Sequence, residues 1–94
     1  MKQIVHNTDA TRYELYIDDA LASVAEYRRA GSRLIFDHTE TDRAFRGRGL
    51  AAELVEWAMN DVREQRLTVV PRCWFVRQFL DEHPEYREIV DVAA

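Results

Sequence analysis

A basic, glycine-containing segment, Arg46-Gly47-Arg48-Gly49-Leu50-Ala51, has the residue types that bind a phosphate group. Guanidinium groups make bidentate contacts with phosphate oxygens, and glycines let a bulky anion approach the backbone closely. A helix that begins on the small residues after Gly49 exposes unpaired N–H groups and the positive end of its dipole at the same place. The segment therefore predicts an anion-binding turn to which Gly47 and Gly49 give access.

Three other side chains could take part in proton or group transfer. Cys73 follows Pro71 and Arg72 at the predicted start of a helix, a setting in which cysteines are often reactive. His38 and Glu40 lie two residues apart on a predicted strand, so they share one face and could act together. Structural alternatives stay open: a buried cysteine, a hydrogen-bonded histidine and a solvated or salt-bridged carboxylate.

The elements that position these residues follow from the spacing of apolar side chains. Residues 34–41 alternate and are rich in β-branched and aromatic types, which predicts a strand before the basic segment. After it, apolar residues recur at helical spacing, which predicts an amphipathic helix through residue 64. Its apolar positions are Leu50, Ala51, Leu54, Val55, Ala58, Met59 and Val62.

The rest of the chain predicts an α+β (α/β) domain in which an antiparallel meander is followed by a β-α-β-α unit. Residues 2–6, 12–17 and 20–29 form the first strands, with turns at 18–19 and 30–32. Residues 67–70 form a short strand that the intervening helix places parallel to 34–41. A second helix ends at His83-Pro84, and residues 85–92 form a short extended tail.

The run Arg46-x-x-Gly49-x-Ala51 resembles the pyrophosphate-binding motif of the GCN5-related N-acetyltransferases. Residues 38–51, 70–76 and 83–86 look like the small single-domain branch of that family, and the resemblance covers roughly residues 34–90. It implies a truncated form of that fold, with a central mixed sheet and two helices. Full-size members have further helices after the first strand and a terminal hairpin that enclose the acceptor, and this chain has room for neither.

The resemblance also implies a cofactor, acetyl-CoA, and assigns roles along the chain. Thr39 and Thr41 would offer backbone groups to the pantetheine arm, the amides of residues 47–51 would bind the pyrophosphate, and Arg46 and Arg48 would add charge. The cofactor-binding set is thus Thr39, Thr41, Arg46, Gly47, Arg48, Gly49, Leu50 and Ala51. The catalytic set is Cys73 as nucleophile or proton relay, with Glu40 and His38 as bases that deprotonate an amine.

Composition excludes several other classes of protein. The chain of 94 residues, 47% hydrophobic and 32% charged, predicts a single domain over residues 1–94, and its net charge of −4 argues against nucleic-acid binding. It contains no apolar run long enough for a membrane span, and its single cysteine favours a reducing cytoplasm. Three scattered histidines show no metal-ligand spacing, so no metal site is predicted.

The spacing of the aromatic residues Trp57, Trp74, Phe75, Phe79 and Tyr86 predicts core and helix packing rather than stacking on nucleic-acid bases. The resemblance to the acetyltransferases implies an acetyl-CoA-dependent acyltransferase that acts on an unidentified amine. The alternative is a non-catalytic module with the same fold that binds acyl-CoA or another protein. Only the first predicts turnover of the thioester.

Overall fold

The computed structural model describes residues 1–91, in which five strands form one mixed sheet and two helices pack against one of its faces. The elements in chain order are β1 (Lys2–Asn7), β2 (Arg12–Ile17), β3 (Ala20–Ala30), β4 (Arg33–Thr41), α1 (Leu50–Glu64), β5 (Thr68–Pro71) and α2 (Trp74–Glu82). Two short 3₁₀ helices, Arg43–Phe45 and Pro84–Ile89, precede α1 and follow α2. The predicted α+β fold is confirmed.

The first four strands form the predicted antiparallel meander, because each is joined to the next by a tight turn. Asp18 and Asp19 turn the chain between β2 and β3 with φ values of 48° and 71°, a left-handed conformation that aspartate tolerates better than most residues. Gly31, with a φ of 64°, occupies the turn between β3 and β4. Sequence order therefore equals spatial order across the sheet.

The fifth strand joins the sheet by the predicted helical crossover. Leu34 of β4 pairs with Val69 of β5, and Phe36 pairs with Pro71, in a parallel ladder. Between them α1 presents the apolar stripe that the sequence predicts, and the buried members are Leu50, Leu54, Val55, Ala58, Met59 and Val62. This stripe and the apolar face of α2 meet the sheet in one core whose centre holds Tyr13, Leu15 and Phe36.

A β-bulge in β4 changes which side chains face the helices. Phe36 pairs with Tyr27 and His38 pairs with Glu26, so Asp37 is an extra residue in β4. Without the bulge, strict alternation would place His38 and Glu40 on the same face as Phe36. With it, Thr39 and Thr41 follow Phe36 on the helix face, where Thr39 reaches the second helical segment.

The opposite face of the sheet carries polar side chains. Glu14 lies there, and it is almost fully buried although it carries a carboxylate. Arg12 Nε, Tyr16 Oη and Asn7 Nδ2 donate hydrogen bonds to it at 2.6, 3.0 and 3.2 Å. Burial alone would raise the pKa of Glu14, but these three donors lower it overall.

A cluster of four residues, His6, Tyr13, Tyr27 and Asp61, joins the meander to α1; we call it the His6 cluster. His6 Nδ1 lies 3.1 Å from Asp61 Oδ2, and its Nε2 lies 2.7 Å from the hydroxyl of Tyr27. Tyr13 stacks on the imidazole at 4.0 Å between ring centroids and donates to Asp61 at 2.8 Å. Burial lowers the pKa of His6, against the opposing effect of Asp61.

The segment after α2 differs from the prediction. Helix α2 ends before His83-Pro84 as expected, but Pro84–Ile89 is a 3₁₀ helix, so the expectation of an extended tail over residues 85–92 is wrong there. Tyr86 causes the difference, since its hydroxyl donates to Asn60 of α1 at 2.9 Å and its ring lies under the guanidinium of Arg63. Val90 then forms a parallel bridge with Val69, and Val92 lies outside the described residues.

Candidate functional site

The parallel strands β4 and β5 separate after the pair Phe36 and Pro71. The amides of Arg72 and Cys73 both donate to the carbonyl of Phe36, at 3.0 and 2.8 Å, and so end the ladder. Strand β4 continues to Thr41 without β5 beside it. The divergence opens a cleft of about 350 Å³ between the end of β4, the start of α1 and the start of α2, the place where ligands bind in α/β sheets.

The basic turn forms one end of this cleft. Gly47 and Gly49 have φ values of 84° and 72°, a conformation for which glycine carries no steric penalty. Gly49 is the N-cap of α1, and its carbonyl accepts from the amide of Glu53 at 3.1 Å without any side-chain cap. The amides of Leu50, Ala51 and Ala52 accordingly have no acceptor within residues 1–91.

The side chains around the turn leave this backbone open. Arg46 Nε donates to the carbonyl of Thr41 at 3.1 Å, which ties the turn to the end of β4. Arg48 places its guanidinium 5.4 Å from the centroid of the Phe45 ring. Asp42 caps the preceding 3₁₀ helix through the amide of Ala44. Arginine charge, unpaired amides and a helix dipole thus act on the same small volume, which favours an anion.

Cys73 lies at the other end of the cleft and is buried, with 8% of its surface exposed. It is the N-cap of α2, as the sequence predicts, and it belongs to the hydrophobic core. Its Sγ lies 3.3 Å from the hydroxyl of Thr39, across the separation between the two strands. Cys73 is therefore packed in the core and also lies beside the cleft.

His38 and Glu40 form a pair on the other side of β4. His38 Nε2 lies 3.2 Å from Glu40 Oε1, and their side chains are 51% and 63% exposed. Since neighbouring side chains on a strand point in opposite directions, the contact of Thr39 with Cys73 places this pair on the opposite face from the thiol. The three predicted catalytic residues are thus two separate groups with β4 between them.

The cleft brings together most of the predicted site and four residues that were not predicted. Its lining includes the predicted residues Thr39, Glu40, Thr41, Arg46, Gly47, Gly49, Leu50 and Ala51. It also includes Phe45, Ala52, Trp74 and Phe75. His38, Arg48 and Cys73 lie beside the cleft rather than among the lining residues of the described chain.

The prediction that Trp74 packs in the core is wrong. Its side chain is 71% exposed, and it stands at the first position of α2, where it forms one wall of the cleft. Trp57 is also partly exposed, at 39%, with its ring edge against Tyr13. The prediction holds for Phe79 and Tyr86, which are buried, and for Phe75, which packs against the core.

Two features of residues 1–91 bear on other kinds of function. Within residues 1–91 no three histidine, cysteine, aspartate or glutamate side chains converge in a way that could hold a metal ion. In the same part of the chain, neither helix has the length and apolar content needed to cross a bilayer.

Comparison with known proteins identifies the family. A sequence model described as "GCN5-related N-acetyl-transferase" matches residues 12–89. The solution structure of a GCN5-like protein from Staphylococcus aureus superposes with a TM-score of 0.72 over 95% of this chain and 87% of that one, at 18% identity. The chain belongs to the GCN5-related N-acetyltransferase family, and it has the α+β fold of that group.

Several vertebrate relatives share part of the sequence. Protein NATD1 of Bos taurus is 36% identical over 63 residues, which cover 66% of this chain and 56% of that protein. The zebrafish form, from Danio rerio, is 36% identical over 69 residues, which cover 70% and 63%. Human NATD1 is 35% identical over 63 residues, covering 66% and 56%. The chain therefore matches less than two thirds of the length of these relatives.

Proposed function

We propose that this protein binds acetyl-CoA in the cleft and transfers its acetyl group to an amine. One observation carries the proposal: the N-terminus of α1, opened by Gly49, directs the unpaired amides of Leu50, Ala51 and Ala52 at a cleft between two separated parallel strands. Membership of the acetyltransferase family gives that cleft its expected ligand. The acceptor is left as an amine of unspecified structure.

The residues of the cleft fit the two chemically different parts of such a ligand. A pyrophosphate needs hydrogen-bond donors and positive charge, which the amides after Gly49 and the guanidinium of Arg46 supply. A Cβ atom added at Gly47 or Gly49 would project into open space beside the turn, where the ligand has to approach. The uncharged arm needs backbone donors and apolar surface, and Thr39, Thr41, Leu50 and Phe75 provide both.

Bound acetyl-CoA would supply an acetyl thioester, which is an acyl group activated toward amines. The amine must be neutral to attack, so a nearby base is required at neutral pH. Glu40 lines the cleft, and its carboxylate is hydrogen-bonded to His38 on the open face of the sheet. We assign the removal of the proton from the ammonium to this pair, with Glu40 as the acceptor and His38 as its partner.

Cys73 acts at the other side of β4. Its thiol lies against the hydroxyl of Thr39, so it can exchange a proton with that group or present sulfur at the end of the cleft. Replacement by alanine separates this role from packing, because a mere packing role would reduce stability and leave the turnover rate of the folded protein unchanged. Its free thiol also agrees with our proposal of a reducing, cytoplasmic location.

Calorimetric titration with acetyl-CoA, CoA and ATP tests the proposal. We expect acetyl-CoA and CoA to bind and ATP, which has no arm, to bind more weakly. A screen of amines for release of free CoA then tests transfer. Failure of acetyl-CoA to bind the folded protein would contradict the proposal.

One observation favours the non-catalytic alternative. His38 and Glu40 are more than half exposed on an open sheet face, and in the described residues no further element encloses them. A module that binds acyl-CoA or another protein needs no enclosed acceptor site. Such a module would bind CoA in the titration and release none in the amine screen.

A further inference from the structure

The indole of Trp74 is the most exposed aromatic ring among residues 1–91, and it stands at the mouth of the cleft. Its ring contact within the described chain is the edge of Phe75, at 5.8 Å between centroids. Helix α2 is held to the core through Val76, Phe79 and Leu80 rather than through its first residue. The folded chain therefore gains little from Trp74, while a large apolar surface stays in contact with water.

The position of Trp74 along the cleft shows which part of a ligand it meets. The unpaired amides of α1 define the anion end of the cleft. The contact between Thr39 and Cys73 defines the other end, and Trp74 directly follows Cys73 in the chain. A long ligand whose phosphates bind at the start of α1 would thus contact Trp74 with the segment that lies beyond the phosphates.

The wall around Trp74 is apolar. Phe45, Leu50 and Phe75 lie in the lining of the same cleft, with Ala51 and Ala52 at the start of α1. Such a wall offers little to a charged nucleotide. It matches a flexible chain of methylene and amide groups, whose apolar surface packs on a flat ring and whose carbonyls can accept from the indole N–H.

We propose that Trp74 is a specificity-determining residue that packs against the uncharged, thioester-bearing arm of the bound acyl donor. It selects for the arm, whereas the turn at Gly47 and Gly49 selects for the phosphates. The inference rests on the proposed function, because it requires that acetyl-CoA bind in this cleft. It goes beyond that function in dividing recognition of the donor between two groups of residues.

The emission of the indole itself gives the most direct test. The chain contains two tryptophans, so Trp57→Phe leaves Trp74 as the sole indole, and Trp74→Phe leaves Trp57 as the matched control. We expect acetyl-CoA to shift the emission of Trp74 to shorter wavelength, since the ring leaves water. The nucleotide half of CoA alone, 3′-phosphoadenosine 5′-diphosphate, should bind without that shift. Neither compound should shift the emission of Trp57.

Binding measured by calorimetry gives the second test. Trp74→Ala should lower the affinity for acetyl-CoA about tenfold or more, as loss of a buried aromatic contact predicts. Its affinity for the nucleotide half should stay within about twofold of that of the parent protein. Circular dichroism should show an unchanged fold, because the side chain is exposed. Trp74→Phe, which keeps an aromatic ring, should fall between the parent and the alanine variant.

The possible results separate this inference from the function on which it rests. If the parent does not bind acetyl-CoA, both are wrong. If the parent binds acetyl-CoA while Trp74 keeps its emission, or while Trp74→Ala keeps its affinity, the inference alone is wrong. A shift that follows protein concentration without any ligand would show that Trp74 packs against a second copy of the chain, and it would likewise overturn the inference.

Discussion

The cleft and the His6 cluster are two polar regions of one small molecule, and they treat their hydrogen-bonding groups in opposite ways. In the His6 cluster, Asp61 Oδ2 accepts from Tyr13, His6 and Gln65, so each donor finds its partner inside the protein. In the cleft, the first amides of α1 and the indole N–H of Trp74 have no hydrogen-bond acceptor within residues 1–91. The donors of the His6 cluster are thus paired within the protein, whereas the first amides of α1, to which the proposed function assigns a ligand, are not.

The largest effect is expected at Glu40, which lines the cleft. Glu40→Gln should slow acetyl transfer by roughly 10²–10⁴-fold, the usual contribution of a positioned base, while acetyl-CoA affinity stays unchanged. The deficit should shrink at high pH, where the amine is already neutral. Glu26→Gln is the matched control, because Glu26 lies opposite His38 on the same open face. A deficit that persists undiminished at high pH would instead indicate that Glu40 orients its surroundings.

The next largest effect is expected in the His6 cluster. Asp61→Ala removes the acceptor of the fully buried Tyr13 hydroxyl and of His6, which should cost about 3 kcal/mol of unfolding free energy. Glu88→Ala, which removes one partner of an exposed ion pair with Arg63, should cost less than about 1 kcal/mol. Denaturant unfolding measures both. Acetyl-CoA affinity should not change in either, and a loss of affinity in Asp61→Ala would mean that the two regions are coupled.

Two glycines, one in the cleft and one in a turn between strands, can be compared directly because their backbone conformations are alike. Gly49 and Gly31 both have φ near 70°, and a Cβ at either would meet no atom within 4 Å. Alanine should therefore cost about 1–2 kcal/mol of stability at each position. Only Gly49→Ala should also lower the affinity for acetyl-CoA, by about ten- to hundredfold, which corresponds to the loss of one hydrogen bond to a charged group. Equal affinity for acetyl-CoA in the two variants would show that the turn at Gly49 does not bind the phosphates.

The smallest effect is a pH dependence of stability. Because burial lowers the pKa of His6 in the folded protein, the unfolded chain binds its proton first as the pH falls below about 6.5. Stability should then decrease with falling pH in that range, by at most about 1.4 kcal/mol per pH unit. In His6→Gln the slope between pH 7 and 5.5 should flatten. An unchanged slope would show that groups other than His6 cause the pH dependence of stability.

The sequence predicts the fold well where local patterns decide it. Alternation in residues 12–17, the turn at Asp18 and Asp19, and the helical spacing after Leu50 each act over a few residues, and the structure confirms all three. The parallel placement of β5 also follows, since a helical crossover leaves few alternatives. The 3₁₀ helix at Pro84–Ile89 was not predicted, because a contact of Tyr86 with distant Asn60 stabilises it.

The site is less predictable because side-chain partners come from distant parts of the chain. His6 and Asp61 belong to different elements, and no spacing connects them. The bulge at Asp37 leaves no clear pattern in the sequence, although it decides that Thr39, not His38, meets Cys73. The spacing of the aromatic residues predicts core and helix packing for Trp74, whereas its position at the first turn of α2 leaves it exposed.

The parallel pairing of β4 and β5 has a consequence for the order of folding. The meander closes through short turns, but β4 and β5 are joined by residues 42–67, which contain α1. Contacts between distant residues form late, because the entropy of the intervening chain is lost before they are gained. The cleft lies where that last ladder ends. A ligand bound there would therefore slow unfolding more than it speeds folding, and would act on the lifetime of the native state.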